Sequence, residues 1–398
     1  MARVPSAHGH VFGRPRPSRG GRVFQLHTAP QRDTHYRQFA EGPGKPPYQL
    51  DLKSIISSTN YNTILAKKKL TLHFNGDMGG IQYAVPQELV AKGMEADFDR
   101  TKDASENPAF LYLVGDCVYF NGEVKEYYSQ FYHPYEFYPA PIFAVPGNHD
   151  GENLPDDDTL KGFKRNFCAE QPVKMPESGD SLRTAMVQPN VFWTLLTPLA
   201  NFVGLYTNVP EGGDVRPPQT DWLVSQLRTL PKTRPLVLTM HHPIYSADDH
   251  HSGSTYIKDM LTNAVKAAGG REPDLVIGGH VHNYQRFTRP LSRQAQGPYL
   301  VTGAGGYHNL HHVMKVNGQH IVPPAVFHDK EGEAVTLERY CDDRFGFLRM
   351  EITDRLIKGR YYTVPRPQEP YSKGNQLFDY FEFDWRKKQY VPNSFSLS

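Results

Sequence analysis

Five short apolar runs each stop at a polar cluster rich in glycine or histidine. This repeated junction constrains the fold more than any other feature of the chain. Residues 70–74 precede Asn75-Gly76-Asp77, and residues 110–114 precede Gly115-Asp116. Residues 141–145 lead to Gly147-Asn148-His149-Asp150, and residues 236–240 to His241-His242-Pro243. Residues 275–277 lead to Gly278-Gly279-His280-Val281-His282. Near-continuous apolar runs of this length suit strands buried on both faces. Helical patterns lie between them. Ser254 can cap a helix whose apolar stripe is Ile257, Leu261, Ala264, Val265 and Ala268, stopped by Gly269. Thr220 and Asp221 open another, with Leu223, Leu227 and Leu230 on one side and Pro231 closing it. Residues 191–209, 345–353 and 356–364 are rich in β-formers. The pattern is that of an α/β chain with a second, partly antiparallel sheet late in sequence.

In open α/β sheets, ligands sit in the crevice beyond the carboxyl ends of the strands. The five junctions can therefore converge, offering Asp77, Asp116, Tyr119, Asn148, His149, His241, His280 and His282. Carboxylate, phenolate, amide oxygen and imidazole are hard-to-borderline donors that suit Fe, Zn or Mn. His280 and His282 are two apart, as residues on one side of a strand are, so a strand end is expected to present both to neighbouring metals. Taken singly, each piece has an ordinary explanation. Gly115-Asp116 is common turn chemistry, Gly-Asn-His-Asp can be a turn with a surface His, and Tyr119 can be a packed aromatic. Together they require five coincidences, all at strand ends.

These blocks resemble those of the metallophosphoesterase superfamily, and most closely the purple acid phosphatase family. The family's Asp-x-Gly stands here as Asp77-Met78-Gly79, and its Gly-Asp-x-x-Tyr as Gly115-Asp116-Cys117-Val118-Tyr119. Gly147-Asn148-His149-Asp150, a strand ending in His241, and Gly279-His280-Val281-His282 complete the set. The resemblance covers about residues 70–305. It implies two mixed β-sheets packed face to face and flanked by helices, a four-layer sandwich. It also implies two metal ions, Fe³⁺ plus a divalent ion (Fe²⁺, Zn²⁺ or Mn²⁺). Asp77, Tyr119 and His282 would bind the first and Asn148, His241 and His280 the second, with Asp116 bridging. Tyr119 separates this family from the wider superfamily. The implied activity is acid phosphatase chemistry on small phosphate monoesters, with a metal-bound hydroxide attacking phosphorus. His149, His250 and His251 are the candidates to protonate or stabilise the leaving oxygen. A phosphodiesterase or nucleotide pyrophosphatase using the same metals is the alternative. A non-catalytic scaffold with a decayed site would have lost ligand positions, and here every one is filled.

Organisation outside the motifs is less specific. Residues 1–32 carry six Arg and no Asp or Glu, the mark of a basic tail, and a transit peptide shares that bias. No aromatic interleaving supports a nucleic-acid arm. Residues 41–47 read as a linker, so 1–68 is expected to be an extension and 69–398 the metallophosphoesterase domain, with an insertion at about 307–344. No apolar run approaches the roughly 20 residues that span a bilayer, and no secretory signal is visible. Three Cys among 398 residues are too few and scattered for a disulfide framework. The formal net charge of +2 points to no partner, and nothing in the chain fixes oligomeric state.

Overall fold

The structure, a computed structural model, describes residues 42–151, 160–208, 215, 217–328 and 332–392. The basic stretch 1–32 lies outside them. The strands in chain order are β1 (Gln49–Asp51), β2 (Lys69–Asn75), β3 (Pro108–Leu113), β4 (Ile142–Ala144), β5 (Trp193–Leu196), β6 (Asn201–Gly204), β7 (Leu236–Thr239), β8 (Leu275–Gly278) and β9 (Tyr284–Pro290). Then follow β10 (Gln296–Thr302), β11 (Lys315–Val316), β12 (Gln319–His320), β13 (Ala325–His328), β14 (Ala334–Cys341), β15 (Gly346–Thr353), β16 (Leu356–Thr363), β17 (Gln376–Asp384) and β18 (Gln389–Tyr390). The α-helices among the described residues are α1 (Ser58–Lys67), α2 (Val85–Glu95), α3 (Lys161–Phe167), α4 (Gln219–Thr229) and α5 (Thr255–Ala267).

Two large mixed sheets form the body, as the fold expectation requires. One is ordered β18-β17-β16-β15-β2-β3-β4, the other β1-β5-β6-β7-β8-β10-β9-β14-β13. Each has a parallel part carrying the sequence junctions: β2-β3-β4 in the first, and β6-β7-β8-β10 in the second. The antiparallel strands flank these. All five apolar runs form strands, and each is buried along nearly its whole length, as central strands covered on both faces must be.

Aromatic side chains join the sheets. Phe74 and Phe110 of the first sheet meet Phe202 of the second at ring-centroid distances of 6.1 and 5.5 Å. Tyr112 stacks on Trp193 at 6.0 Å, and its hydroxyl accepts a hydrogen bond from Thr239 at 3.1 Å. Helix α1 lies against β2 and α2 against β15. On the other sheet, Gln226 of α4 accepts a bond from Thr194 of β5, and α4 packs on α5. Helix α5 forms for the reasons legible in its sequence. Ser254 Oγ accepts the Ile257 N–H at 3.2 Å, and Ile257, Leu261, Ala264 and Val265 are buried. Gly269 ends it with a φ of 86°.

The segment read as extension and linker contributes to the packed body from Gly42 on. Gly44 N–H bonds to Pro189 O at 2.8 Å, Trp222 Nε1 donates to Pro47 O at 2.7 Å, and β1 pairs in parallel with β5. The stretch 307–344 holds a β11–β12 hairpin turned by Asn317-Gly318. It also holds β13 and β14, which extend the nine-stranded sheet past β9.

Candidate metal centre

Three junctions come from the first sheet and two from the second, so the site lies between the sheets. Asp77 follows β2, Asp116 follows β3 and Asn148 follows β4, while His241 follows β7 and His280 follows β8. The loops are tied together by backbone. Asp77 N–H donates to Gly115 O at 3.0 Å, and Asp77 Oδ2 accepts the His280 N–H at 2.8 Å, crossing between the sheets. Asp116 Oδ1 accepts the His149 N–H at 2.9 Å. Gly147 makes that approach possible, because a Cβ there would lie 2.1 Å from Asp116 Oδ1. The Asp150 carboxylate accepts three backbone N–H groups, from Gly147, Cys117 and Val118 at 2.9–3.1 Å. It locks the third loop to the second.

The seven residues expected to bind metal are brought together as two triads with Asp116 beside both. In one, Tyr119 Oη lies 3.4 Å from Asp77 Oδ1 and 3.3 Å from His282 Nε2, with His282 Nε2 and Asp77 Oδ1 3.5 Å apart. In the other, Asn148 Oδ1 is 2.9 Å from His241 Nε2 and 3.0 Å from His280 Nδ1. Asp116 Oδ2 is 3.3 Å from His241 Nε2, and single donor atoms of Asp77, Asp116 and His241 lie within 4.8 Å of one another. His280 and His282 are not on a strand: β8 ends at Gly278, and His280 has a φ of 67°. That bend aims the two imidazoles at different triads, where a strand would have set them side by side.

The catalytic candidates separate. His149 is buried, its Nδ1–H donates to Phe120 O at 2.7 Å, and its ring lies 4.4 Å from that of Tyr119. His251 is buried with its ring 4.3 Å from His280. His250 stands one step outward, with 46% of its side chain exposed, and it pairs with Asp249. Two neighbours come from the stretch 307–344. Tyr307 stacks on Tyr119 at 4.0 Å, and His311 packs on His282 at 4.3 Å. Asp150 stood within a motif block, which was the one available signal for it.

Charge is concentrated here. Asp77 and Asp116 are both buried, and burying carboxylates is costly without a cation. Burial raises the Asp77 carboxyl. Burial also opposes ionisation of Asp116, but His241 and His149 overrule it and hold that carboxyl well below its ordinary range. Conversely Asp116 and Asp77 overcome burial to pull His241 up to about 9. Burial, with the two carboxylates adding to it, pushes the Tyr119 phenol well above its usual value. Ionising it therefore needs strong local positive charge.

The calcineurin-like phosphoesterase family matches residues 71–284, more than half of the chain. The chain belongs to this family. Among curated phosphoesterases, purple acid phosphatase 21 of Arabidopsis thaliana is 30% identical over 172 residues, 42% of this chain and 36% of that protein. Probable purple acid phosphatase 20 of Arabidopsis thaliana is 29% identical over 171 residues, 42% of this chain and 38% of the relative. The match thus spans little more than a third of these relatives' length. Among solved structures, GAP50, the anchor in the inner membrane complex of Plasmodium, gives a TM-score of 0.50 at 16% identity. It covers 78% of this chain and 88% of its own, a likeness of fold alone. Among the described residues of this family member, no helix is long and apolar enough to cross a membrane.

Proposed function

We propose that this phosphoesterase hydrolyses small phosphate monoesters with a pair of metal ions, Fe³⁺ and a divalent ion (Fe²⁺, Zn²⁺ or Mn²⁺). The observation that carries the reading is the convergence of two N/O donor triads on either side of Asp116, all buried between the sheets. The donor set fits such a pair. Asp77, Tyr119 and His282 would hold the trivalent ion, because a phenolate is the donor that a highly charged cation favours. Asn148, His241 and His280, all neutral when they bind, would hold the divalent one, and Asp116 would serve both. When bound, such a pair supplies positive charge toward the phosphate and an acidified water for attack on phosphorus.

The remaining residues have their own tasks. Asp150 fixes the loops carrying Asp116 and Asn148, so the donors do not have to be ordered when a metal arrives. His149, anchored through Nδ1, carries its Nε2 4.0 Å from Asp116 Oδ2, beside the donors. His251, against His280, is the member of the His250–His251 pair that we assign to protonating the leaving oxygen. Asp116→Ala should lose both metals and hydrolysis together, as elemental analysis and phosphate release would report. Full activity in that variant would sink the dinuclear reading. Comparing rates on an aryl monoester and the matching diester tests the substrate class, and faster diester cleavage would overturn the monoester assignment.

A further inference from the structure

A second cluster of donors lies outside the two triads. Single ligand atoms of Asp248, His250 and His311 all fall within 4.8 Å of one another. Asp248 and His311 are buried, and His250 is exposed. The backbone holds them in place. Asp248 pairs with Val313 in an isolated bridge, Asp249 N–H donates to His312 O at 3.1 Å, and His311 N–H donates to His282 O at 3.1 Å. The Asp248 carboxylate accepts the N–H of His250 at 3.0 Å, the N–H of His251 at 2.9 Å and Asn283 Nδ2 at 3.1 Å. A carboxylate offers about four lone-pair directions, so one remains.

The side chains point to a ligand. His311 is 5% exposed, yet its Nδ1 makes no hydrogen bond. It lies 3.4 Å from Asp248 Oδ2 without hydrogen-bond geometry. A buried imidazole nitrogen without a hydrogen-bond partner is costly. His250 stacks on His311 at 4.8 Å, and 46% of its side chain is exposed.

We propose that Asp248, His250 and His311 form a third metal site, for a divalent cation such as Zn²⁺, at the rim beside the paired centre. Two imidazoles and one carboxylate are the N/O donors that zinc takes, and three protein ligands leave a coordination position open. His311 touches His282, so a cation here adds positive charge next to the triad of Tyr119, Asp77 and His282. His250 then serves this cation rather than the leaving oxygen, which agrees with its outward position.

The test is a titration of the metal-free protein with Zn²⁺ alone, read as bound equivalents after desalting. Wild type should hold three, and His311→Ala two. His250→Ala, at an exposed position that leaves the core intact, should also hold two. Asp116→Ala should keep one equivalent, which separates this site from the paired centre. Loading that variant with Co²⁺ should give the visible d–d absorption of a histidine-ligated ion, and adding His311→Ala should abolish it. Equal Zn²⁺ content in wild type, His311→Ala and His250→Ala would overturn the third site whatever becomes of the other two. So would an Asp116→Ala protein that retains neither ion nor band.

Discussion

Asp77, Asp116 and His280 have φ values of 55°, 51° and 67°, in a region that costs non-glycine residues about 1–3 kcal/mol each. Hydrogen bonds from the neighbouring loops over-determine them, notably Asp77 N–H to Gly115 O and His280 N–H to Asp77 Oδ2. Asn also tolerates this conformation, so Asp116→Asn separates charge from shape. It should keep the thermal midpoint within the equivalent of about 1 kcal/mol while losing metal, and a large fall in midpoint would show that the carboxylate is mainly structural. Tyr119→Phe removes only a hydroxyl. A phenolate on ferric iron gives a visible charge-transfer band, so the iron-loaded wild type should be coloured and Tyr119→Phe bleached. A colourless, active, iron-loaded wild type would remove Tyr119 from the donor set. His251→Ala should slow alkyl phosphates far more than aryl ones, because a general acid contributes about 10²–10⁴-fold and aryl anions need less help. Equal losses on the two substrates would assign His251 to phosphate binding instead.

Within single elements, β2 carries a buried polar residue whose partners govern acid stability. His73 Nε2–H donates to Asp97 Oδ2 at 2.9 Å, and Nδ1 meets Tyr138 Oη at 3.0 Å. Burial lowers the His73 pKa, so the fold favours the neutral ring. Burial would raise Asp97, but the bond from His73 and the Arg349 guanidinium hold it below the usual carboxylate range. The unfolded chain therefore binds more protons at both positions. Stability should begin to fall below about pH 6.5, the ordinary imidazole value, through His73. It should fall further below about pH 4, as the stabilisation present above Asp97's ordinary pKa is lost. His73→Gln should flatten the upper limb in melts taken across this range, and an unchanged limb would refute the assignment. The sequence reading reached β2, β3, β4, β7, β8 and the capped helix α5 because period and punctuation are local. It did not reach β9, whose polar run Tyr284-Gln285-Arg286 is nonetheless buried. Asp379, 93 residues away, supplies the carboxylate that makes burial of Arg286 tolerable. The meeting of Asp248 with His311 escaped for the same reason: it is made by pairing across the fold, and no spacing along the chain encodes it.

For the whole molecule, that long-range pair is a clamp between the sheets. Arg286 of β9 donates from Nε and Nη2 to Asp379 of β17 at 2.6 and 2.9 Å, Tyr284 Oη donates to the same carboxylate at 2.7 Å, and Tyr284 stacks on Tyr361 of β16 at 3.9 Å. Asp379→Ala strips the buried guanidinium of its carboxylate and should cost about 3–5 kcal/mol, read as a lower denaturant midpoint. A loss under about 1 kcal/mol would mean that the pair is dispensable. The donor triads sit across the same interface, three loops on one sheet and two on the other. The spacing of the donors is therefore a ruler laid across the two sheets: neither sheet owns the site, and on the proposed reading a slide of one past the other should cost metal. Chelation and loosening of the sandwich become two ends of one equilibrium, so an ion held between the loops should slow amide exchange in β3 and β7 alike.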